Sequence, residues 1–356
     1  MKIITCPRAA AVLSLLAIAG CDNHDNQSTQ LALQALTVQS VVGSTGPGLN
    51  PYGLDIAQIS LGLIAQGDLI ACNFNDAATN TQGMGTTIVA LHPNTGATPV
   101  PIADSPKLLG CSALAALPDG NIVATASQAN AVQLVSPSGV ITTPYAADTF
   151  HNPWSVAFAN APNGPALYVS NSTQGSIDRI SLNPDDSQAS FTEIATGFSA
   201  SGAPGAILAP SGLTYDGLID TLYVVDSGTN AVLAFNNVSG MVQDGVAVTV
   251  SNGSDSFSGA NAGSVKVIAS GAPLNGPLSA ALLPSGNLIV GNTLDASGTN
   301  LLLEISPSQG VLATRNVDTG AAGALFGIVI GYDIFGNPVI FFNDDNSNNV
   351  QVLSLP

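Results

Sequence analysis

At 356 residues, with 37 Gly, 22 Pro and only 8% charged side chains, the chain suits one large β-rich unit and is too apolar for disorder. Its formal net charge is −17, six Lys and Arg against 23 Asp and Glu. Lys107, Arg179, Lys266 and Arg315 are scattered, so no basic patch exists to displace counterions from nucleic acid, and that partner class is excluded.

The first element is a targeting segment. Lys2 and Arg8 form a basic region, followed by an apolar stretch from Ala9 to Ala19 that is too short for a good transmembrane span. The run Ile18-Ala19-Gly20-Cys21 resembles the lipobox of bacterial lipoproteins. That resemblance implies loss of residues 1–20 as a signal peptide and a lipid on Cys21. It also implies a tether over 21–35 that holds an extracytoplasmic protein to a bacterial membrane at the cell envelope, for instance in the periplasm. Two or three acyl chains anchor stably where one does not. Asp22 resembles the inner-membrane retention signal of enteric bacteria. The alternative is an ordinary secretory signal with an incidental cysteine. Removing the signal takes two basic residues and no acidic one, so the mature chain is more acidic still.

From residue 36 onward the chain repeats. LTVQSVV, Leu36 to Val42, alternates like a strand. Six copies of one phrase follow. They are PYGLDI…DLIACNFND…TTIVALHP, CSALAALPDGNIVATASQANAVQLVSP, PWSVAF…ALYVSNSTQGSIDRISLNP, PSGLTYDGLIDTLYVVDSGTNAVLAF, PLSAALLPSGNLIVGNTLDASGTNLLLEISP and LFGIVIGYDIFGNPVIFFNDDNSNNVQVLSLP. Small anchor residues open them at Gly53, Ser112, Ser155, Gly212, Ser279 and Gly327, spaced 59, 43, 57, 67 and 48 apart. Repeats of that length built from four short strands predict an all-β, six-bladed β-propeller of four-stranded antiparallel blades over 36–356. Outer strands are expected at TPVPIAD, ITTPYA, SFTEIAT, SVKVIAS and VLATRNV. The sixth repeat shows only three strands, so the N-terminal strand is expected to close the ring. Residues 239–263 read as a hairpin insertion in blade 4, a solvated excursion or a partner contact. Cys72 ends one strand of blade 1 and Cys111 begins blade 2 on the same face. Export permits a disulfide between them, the alternative being two buried thiols.

The pattern Pro-x-Gly/Ser-apolar, then Gly-Asn-Leu-Ile-Val-x-Asn and a Ser/Gly-Thr-Asn turn, as in PSGNLIVGNTLDASGTN, resembles six-bladed NHL-repeat propellers. More distantly it resembles the gluconolactonase-like, calcium-dependent propellers, whose metal ligands stand at the starts of the innermost strands. In this chain the slot before each anchor holds Tyr52, Cys111, Trp154, Ser211, Leu278 and Phe326, and no Glu precedes the first anchor. Apart from Ser211, a weak candidate, hard oxygen ligands are missing where the resemblance would need them. No metal site and no cofactor are therefore expected.

Tyr52, Trp154 and Phe326 are expected to line the mouth of the channel, either as a ligand pocket or as a plug. Asn73, Asn171, Asp226, Asn292 and Asn343, at the ends of the second strands, are expected either to ring that mouth as ligand contacts or to cap their own turns. His151 falls on the same face, as a ligand contact or a turn residue. His92 lies at the opposite face and His24 in the tether, so the three histidines make no zinc site. Asp344-x-Asn346-x-Asn348 has the alternating oxygens of a calcium loop but lacks its central Gly and distal Glu. No nucleophile elbow, phosphate loop or C-x-x-C pair occurs, and no catalytic residue is assigned. The expectation is a monomeric, membrane-tethered module that binds an envelope protein, peptide or sugar. A divergent metal-assisted hydrolase or lyase of the gluconolactonase-like group is the alternative.

Overall fold

Short apolar strands between Gly, Asn and Asp turns bury both faces only when sheets stack on one another, and a ring of sheets does this. The protein, a computed structural model, is described over residues 33–93, 98–145, 149–200, 210–293, 300–318 and 323–354. Cys21, the signal segment, most of the tether and His24 lie outside the described residues.

Six antiparallel blades surround one axis. Blade 1 holds β2 (Leu49–Ile56), β3 (Leu69–Asn75), β4 (Thr87–Leu91) and β5 (Val100–Asp104), from the axis outward. Blade 2 holds β6 (Cys111–Ala116), β7 (Ile122–Ala126), β8 (Ala131–Val135) and the short β9 (Ile141–Thr142). Blade 3 begins with β10 (Pro153–Ala161), β11 (Gly164–Asn171), β12 (Ser176–Leu182) and β13 (Gln188–Thr196). Blade 4 holds β14 (Pro210–Asp216), β15 (Thr221–Asp226), β16 (Ala231–Asn236) and β19 (Val265–Ser270). Blade 5 holds β20 (Pro277–Leu282), β21 (Leu288–Asn292), β22 (Asn300–Ser306) and β23 (Gly310–Asp318). In blade 6, β24 (Ile328–Tyr332), β25 (Pro338–Asp344) and β26 (Asn349–Ser354) are completed by β1 (Thr37–Ser44), which pairs antiparallel with β26. The ring is thus closed by the N-terminal strand, which covers the free edge of the last one.

Packing begins slightly earlier than the repeat pattern indicates. Leu33, in the tether by sequence, is buried with Leu36 between blades 5 and 6, and Arg315 holds both of their carbonyls.

Each blade interface is its own apolar layer, because neighbouring residues of a strand face opposite sides. Leu167 packs toward blade 2 and Tyr168 toward blade 4; Ile289 packs toward blade 6 and Val290 toward blade 4. Burying one such side chain contributes roughly 1.5–3 kcal/mol, so the stability is spread around the ring.

The anchor residues are small because adjacent innermost strands crowd together near the axis. A Cβ on Gly212 would stand 2.5 Å from the Leu278 carbonyl oxygen, and one on Gly327 would stand 2.5 Å from that of Tyr52. Where the anchor is Ser, its hydroxyl bridges the same gap. Ser112 Oγ donates to the Pro153 carbonyl at 3.2 Å, and Ser279 Oγ to that of Leu325 at 2.6 Å; Ser155 Oγ accepts from the Leu213 amide at 3.3 Å. A covalent tie adds to these between blades 1 and 2, where Cys72 and Cys111 form a disulfide with Cα atoms 5.9 Å apart.

The insertion within blade 4, between its third and fourth strands, departs from a free excursion. Its hairpin, β17 (Val246–Ser251) and β18 (Ser254–Ser258), runs back to blade 3 and extends that sheet to six strands. β17 joins the edge of β13 in parallel, at Ala195↔Val246 and Thr196↔Ala247. Val246 and Val248 become part of the core between blades 3 and 4, which a solvated loop would not allow.

Candidate functional site

The innermost strands all run the same way, so their starts meet at one end of the axis and their ends at the other. At the starting end the channel is plugged. Phe326 stacks on Tyr52 with ring centroids 3.6 Å apart, and Tyr52 stacks on Phe74 at 4.3 Å. Trp154 meets Phe74 edge-on at 5.6 Å, and Leu278 fills the remaining side. Tyr52, Phe74, Trp154 and Leu278 are buried and Phe326 is half-buried. Burial, with the nearby Asp345 carboxylate second, pushes the Tyr52 hydroxyl well above its usual range. Tyr52, Trp154 and Phe326 therefore meet at this end, packed on one another, and the space they border is a narrow one of about 80 Å³.

Phe74 is the plug member that the repeat reading missed. Its slot, directly after the second strand's Asn, holds Ser127, Ser172, Ser227, Thr293 and Asp344 in the other blades. One bulky residue among small and polar ones was the available signal.

Asn73, Asn171, Asp226, Asn292 and Asn343 are all fully buried, so none is presented at the mouth. Each braces the chain beside it. Asn73 Nδ2 donates to the Thr45 carbonyl and Thr87 Oγ1, while Asn171 Oδ1 accepts from the His151 amide. Asp226 accepts from the Gly228 amide and Thr229 Oγ1. Asn292 Oδ1 accepts from the Asn275 amide, and Asn343 Nδ2 donates to the Tyr52 and Gly53 carbonyls. Their side chains serve turns and blade joints, Asn73 and Asn343 through the amide nitrogen and Asn171, Asp226 and Asn292 through oxygen, because those segments carry backbone groups needing partners. His151 is exposed, and its imidazole lies within electrostatic reach of Glu193 on the outer strand β13. In the Asp344–Asn348 turn, Asp344 takes up Ser347 and Asn348 Oδ1 takes up the Asn50 amide, so two of the three alternating oxygens point into the turn and its neighbour.

Beyond the plug the channel narrows to about 80 Å³ beside the anchors, then widens into a funnel of about 450 Å³ at the other end. Both spaces share one residue from every blade: Leu54, Leu114, Val156, Leu213, Ala280 and Ile328. Farther out, Phe158, Tyr215, Leu282 and Ile330 continue the apolar wall. Asp55 is the one carboxylate among the lining residues. Its Oδ1 accepts from the Ile56 amide and its Oδ2 from the Ala116 amide of the next blade, both at 2.8 Å. Burial raises its pKa to about 6, against the lowering effect of those two amides.

The funnel end is also where the turns from first to second strands emerge. Leu218 is 95% exposed, Ile334 90% and Phe335 81%, at the tips of the β14–β15 and β24–β25 turns. Leu61 and Leu63, in the β2–β3 connection, and Ile219 and Tyr332 are exposed at the same end. Side chains of that size ordinarily face inward. Asp119, Asp185 and Asp333 stand in turns of this face too.

Two acidic pairs lie elsewhere. Asp178 faces Glu193 across β12 and β13, and burial first, with Glu193 adding to it, raises Asp178 to about 8. Asp226 and Asp255 share Thr229 Oγ1 at 3.0 and 2.9 Å, and burial followed by Asp255 raises Asp226 to about 6. Among the described residues no group of three or more His, Cys, Asp or Glu is arranged to hold a metal ion.

No protein-family model matches the chain, and no curated protein matches it by sequence. Solved structures do match by shape. Virginiamycin B lyase from Staphylococcus aureus is 15% identical, with a TM-score of 0.54 over 90% of this chain and 100% of that one. Regucalcin, a calcium-binding protein from Agrobacterium tumefaciens, is 14% identical with a TM-score of 0.56, over 89% of this chain and 94% of its own. A candidate gluconolactonase gives 13% identity and a TM-score of 0.55, over 90% and 92%. At such identities the likeness is one of fold, a six-bladed propeller that hosts unrelated activities.

Proposed function

We propose that the protein is a lipid-anchored binding propeller on the extracytoplasmic side of a bacterial membrane, and that it engages its partner with the funnel end. The anchor and address rest on the Ile18-Ala19-Gly20-Cys21 segment. One observation carries the choice of face. The starting end of the channel is filled by Tyr52, Phe74, Trp154 and Phe326, while Leu218, Ile334 and Phe335 project from the end that stays open. Exposed apolar tips around an open channel mouth mark an interaction surface. With Asp119, Asp185 and Asp333 in turns of the same face, the complementary partner is a peptide or protein segment carrying apolar side chains flanked by cations.

The test compares wild type with a Leu218→Ser, Ile334→Ser, Phe335→Ser variant for binding of a synthetic peptide alternating Leu and Lys, followed by anisotropy. Capture from envelope extract runs in parallel. Loss of peptide affinity by roughly tenfold or more in the variant supports this face; unchanged affinity overturns it.

The structural neighbours favour a second reading, a metal-assisted hydrolase or lyase. Its ligands would converge at the starts of the innermost strands. There Tyr52, Trp154, Leu278 and Phe326 pack against one another and offer, apart from one phenol, no oxygen for a hard cation. A bound stoichiometric ion whose chelation lowers the melting temperature would restore this reading.

A further inference from the structure

We propose that the funnel is a binding pocket for an apolar monocation, an ammonium group carried on a hydrophobic body, with Asp55 as its counter-ion. The proposal rests on the funnel end being the binding face and names the chemistry that enters it.

Shape comes first. A volume of about 450 Å³ falls within the roughly 300–1,000 Å³ typical of small-ligand pockets, and most of the side chains around it are apolar, with main-chain polar atoms sharing the wall. Asp55 breaks that pattern. The equivalent positions of the other innermost strands are Ala115, Ala157, Thr214, Ala281 and Val329, none of them charged. The other titratable group on the wall, Tyr215, donates its hydroxyl to Asp220 at 3.0 Å and so turns to another partner.

A carboxylate withdrawn from water is costly unless something compensates its charge. Two backbone amides do so in part. Each Asp55 oxygen accepts one of them and keeps lone-pair capacity for a further donor. The rise of Asp55 to about 6 agrees that compensation is incomplete. A cation at the carboxylate would complete it, while the hydrocarbon body of the ligand would cover Leu54, Leu114, Leu213 and Ile328. Neutral and anionic ligands of the same size gain only the second term.

Asp55 also joins β2 to β6 through the Ala116 amide, and a purely structural residue would do that alone. The joint to Ala116 needs one acceptor oxygen, which an amide side chain supplies at the expense of the bond from the Ile56 amide. Charge recognition needs the carboxylate. Asp55→Asn therefore separates the two roles.

The experiment titrates full-length protein calorimetrically with hexylammonium, hexan-1-ol and hexanoate at about pH 8, where Asp55 is ionised. Saturable hexylammonium binding is expected, weaker by roughly tenfold or more in Asp55→Asn, with the alcohol and the acid bound no better than by that variant. Wild-type affinity for hexylammonium should fall as pH drops through about 6, because the amine stays cationic while Asp55 takes up a proton. Equal affinities for amine and alcohol, an unaffected Asp55→Asn variant, or no saturable binding would each overturn the proposal. Should Asp55→Asn fail to fold, the wild-type pH profile with the alcohol control decides.

The same ammonium could arrive as a free amine or as a lysine of the docking partner. The rim variant Leu218→Ser, Ile334→Ser, Phe335→Ser tells them apart. A free amine binds it as well as wild type, whereas a Leu/Lys peptide that uses the funnel is weakened by both the rim variant and Asp55→Asn. Rim-dependent peptide binding without any hexylammonium binding would leave the docking face standing and remove the pocket.

Discussion

Asn343 in blade 6 donates its side-chain amide to the backbone carbonyl of Tyr52 in blade 1 at 2.9 Å, across 291 residues of sequence. One buried amide thus ties the last blade to the first and holds the backbone of the residue at the centre of the aromatic plug. Its second contact, to the Gly53 carbonyl at 3.2 Å, reaches the anchor of the same strand. Asn343→Ala would leave two buried carbonyls short of a donor, a loss on the order of 1–3 kcal/mol for each left unpaired. A clear fall in the urea midpoint with an unchanged slope is the expected outcome.

The disulfide between Cys72 and Cys111 encloses a separation of 39 residues. In the chain-entropy model such a loop contributes about 4 kcal/mol, and native disulfides typically contribute about 2–4 kcal/mol. Reduction, or Cys72→Ser with Cys111→Ser, is expected to lower the melting temperature without altering the far-ultraviolet spectrum at low temperature. Intact-mass analysis of unreduced protein should show two hydrogens fewer than the fully reduced form.

Trp154 is part of a plug, so its removal is a stability experiment. Trp154→Ala should cost about 3–5 kcal/mol, as other large-to-small changes in packed cores do. Trp154→Phe, which keeps most of the edge-on contact with Phe74, should cost much less. Nearly equal melting temperatures for Trp154→Ala and wild type would show the plug to be loosely packed.

Asp178 gives the protein an unusual pH dependence. Its folded pKa of about 8 stands above the ordinary value of 3.8 in the unfolded chain. Between those values the folded state holds a proton that the unfolded state has released, so stability falls as pH rises through the window. The contribution is complete below about 4 and lost above about 8. Asp178→Asn stays neutral, and its amide oxygen can keep the hydrogen bond from Asn171. Denaturant midpoints measured from about pH 5 to 9 should decline less steeply in that variant than in wild type.

Much of this architecture is legible in the residue order. Six small anchors, period-two apolar strands and Gly/Asn turns are local signals, and they set the number of blades. The closing strand at Thr37–Ser44 and the facing positions of Cys72 and Cys111 follow from the same regularity. What the repeat pattern leaves open is the direction in which an individual polar or aromatic side chain settles. Asn171 could cap a turn or greet a ligand with the same neighbours in sequence. Only its contacts with His151, Ser176 and Asp178 decide.

The sequence alone determined the ring, because strand period and turn chemistry depend on neighbours a few residues apart. Tertiary structure decided that Tyr52 and Phe326 stack with Phe74 into a plug, that the hairpin 246–258 belongs to the sheet of blade 3, and that a lone Asp55 stands in the open funnel. Those outcomes depend on how much space remains when six blades converge on one axis. That space is set by every innermost strand at once, and no single stretch of sequence records it.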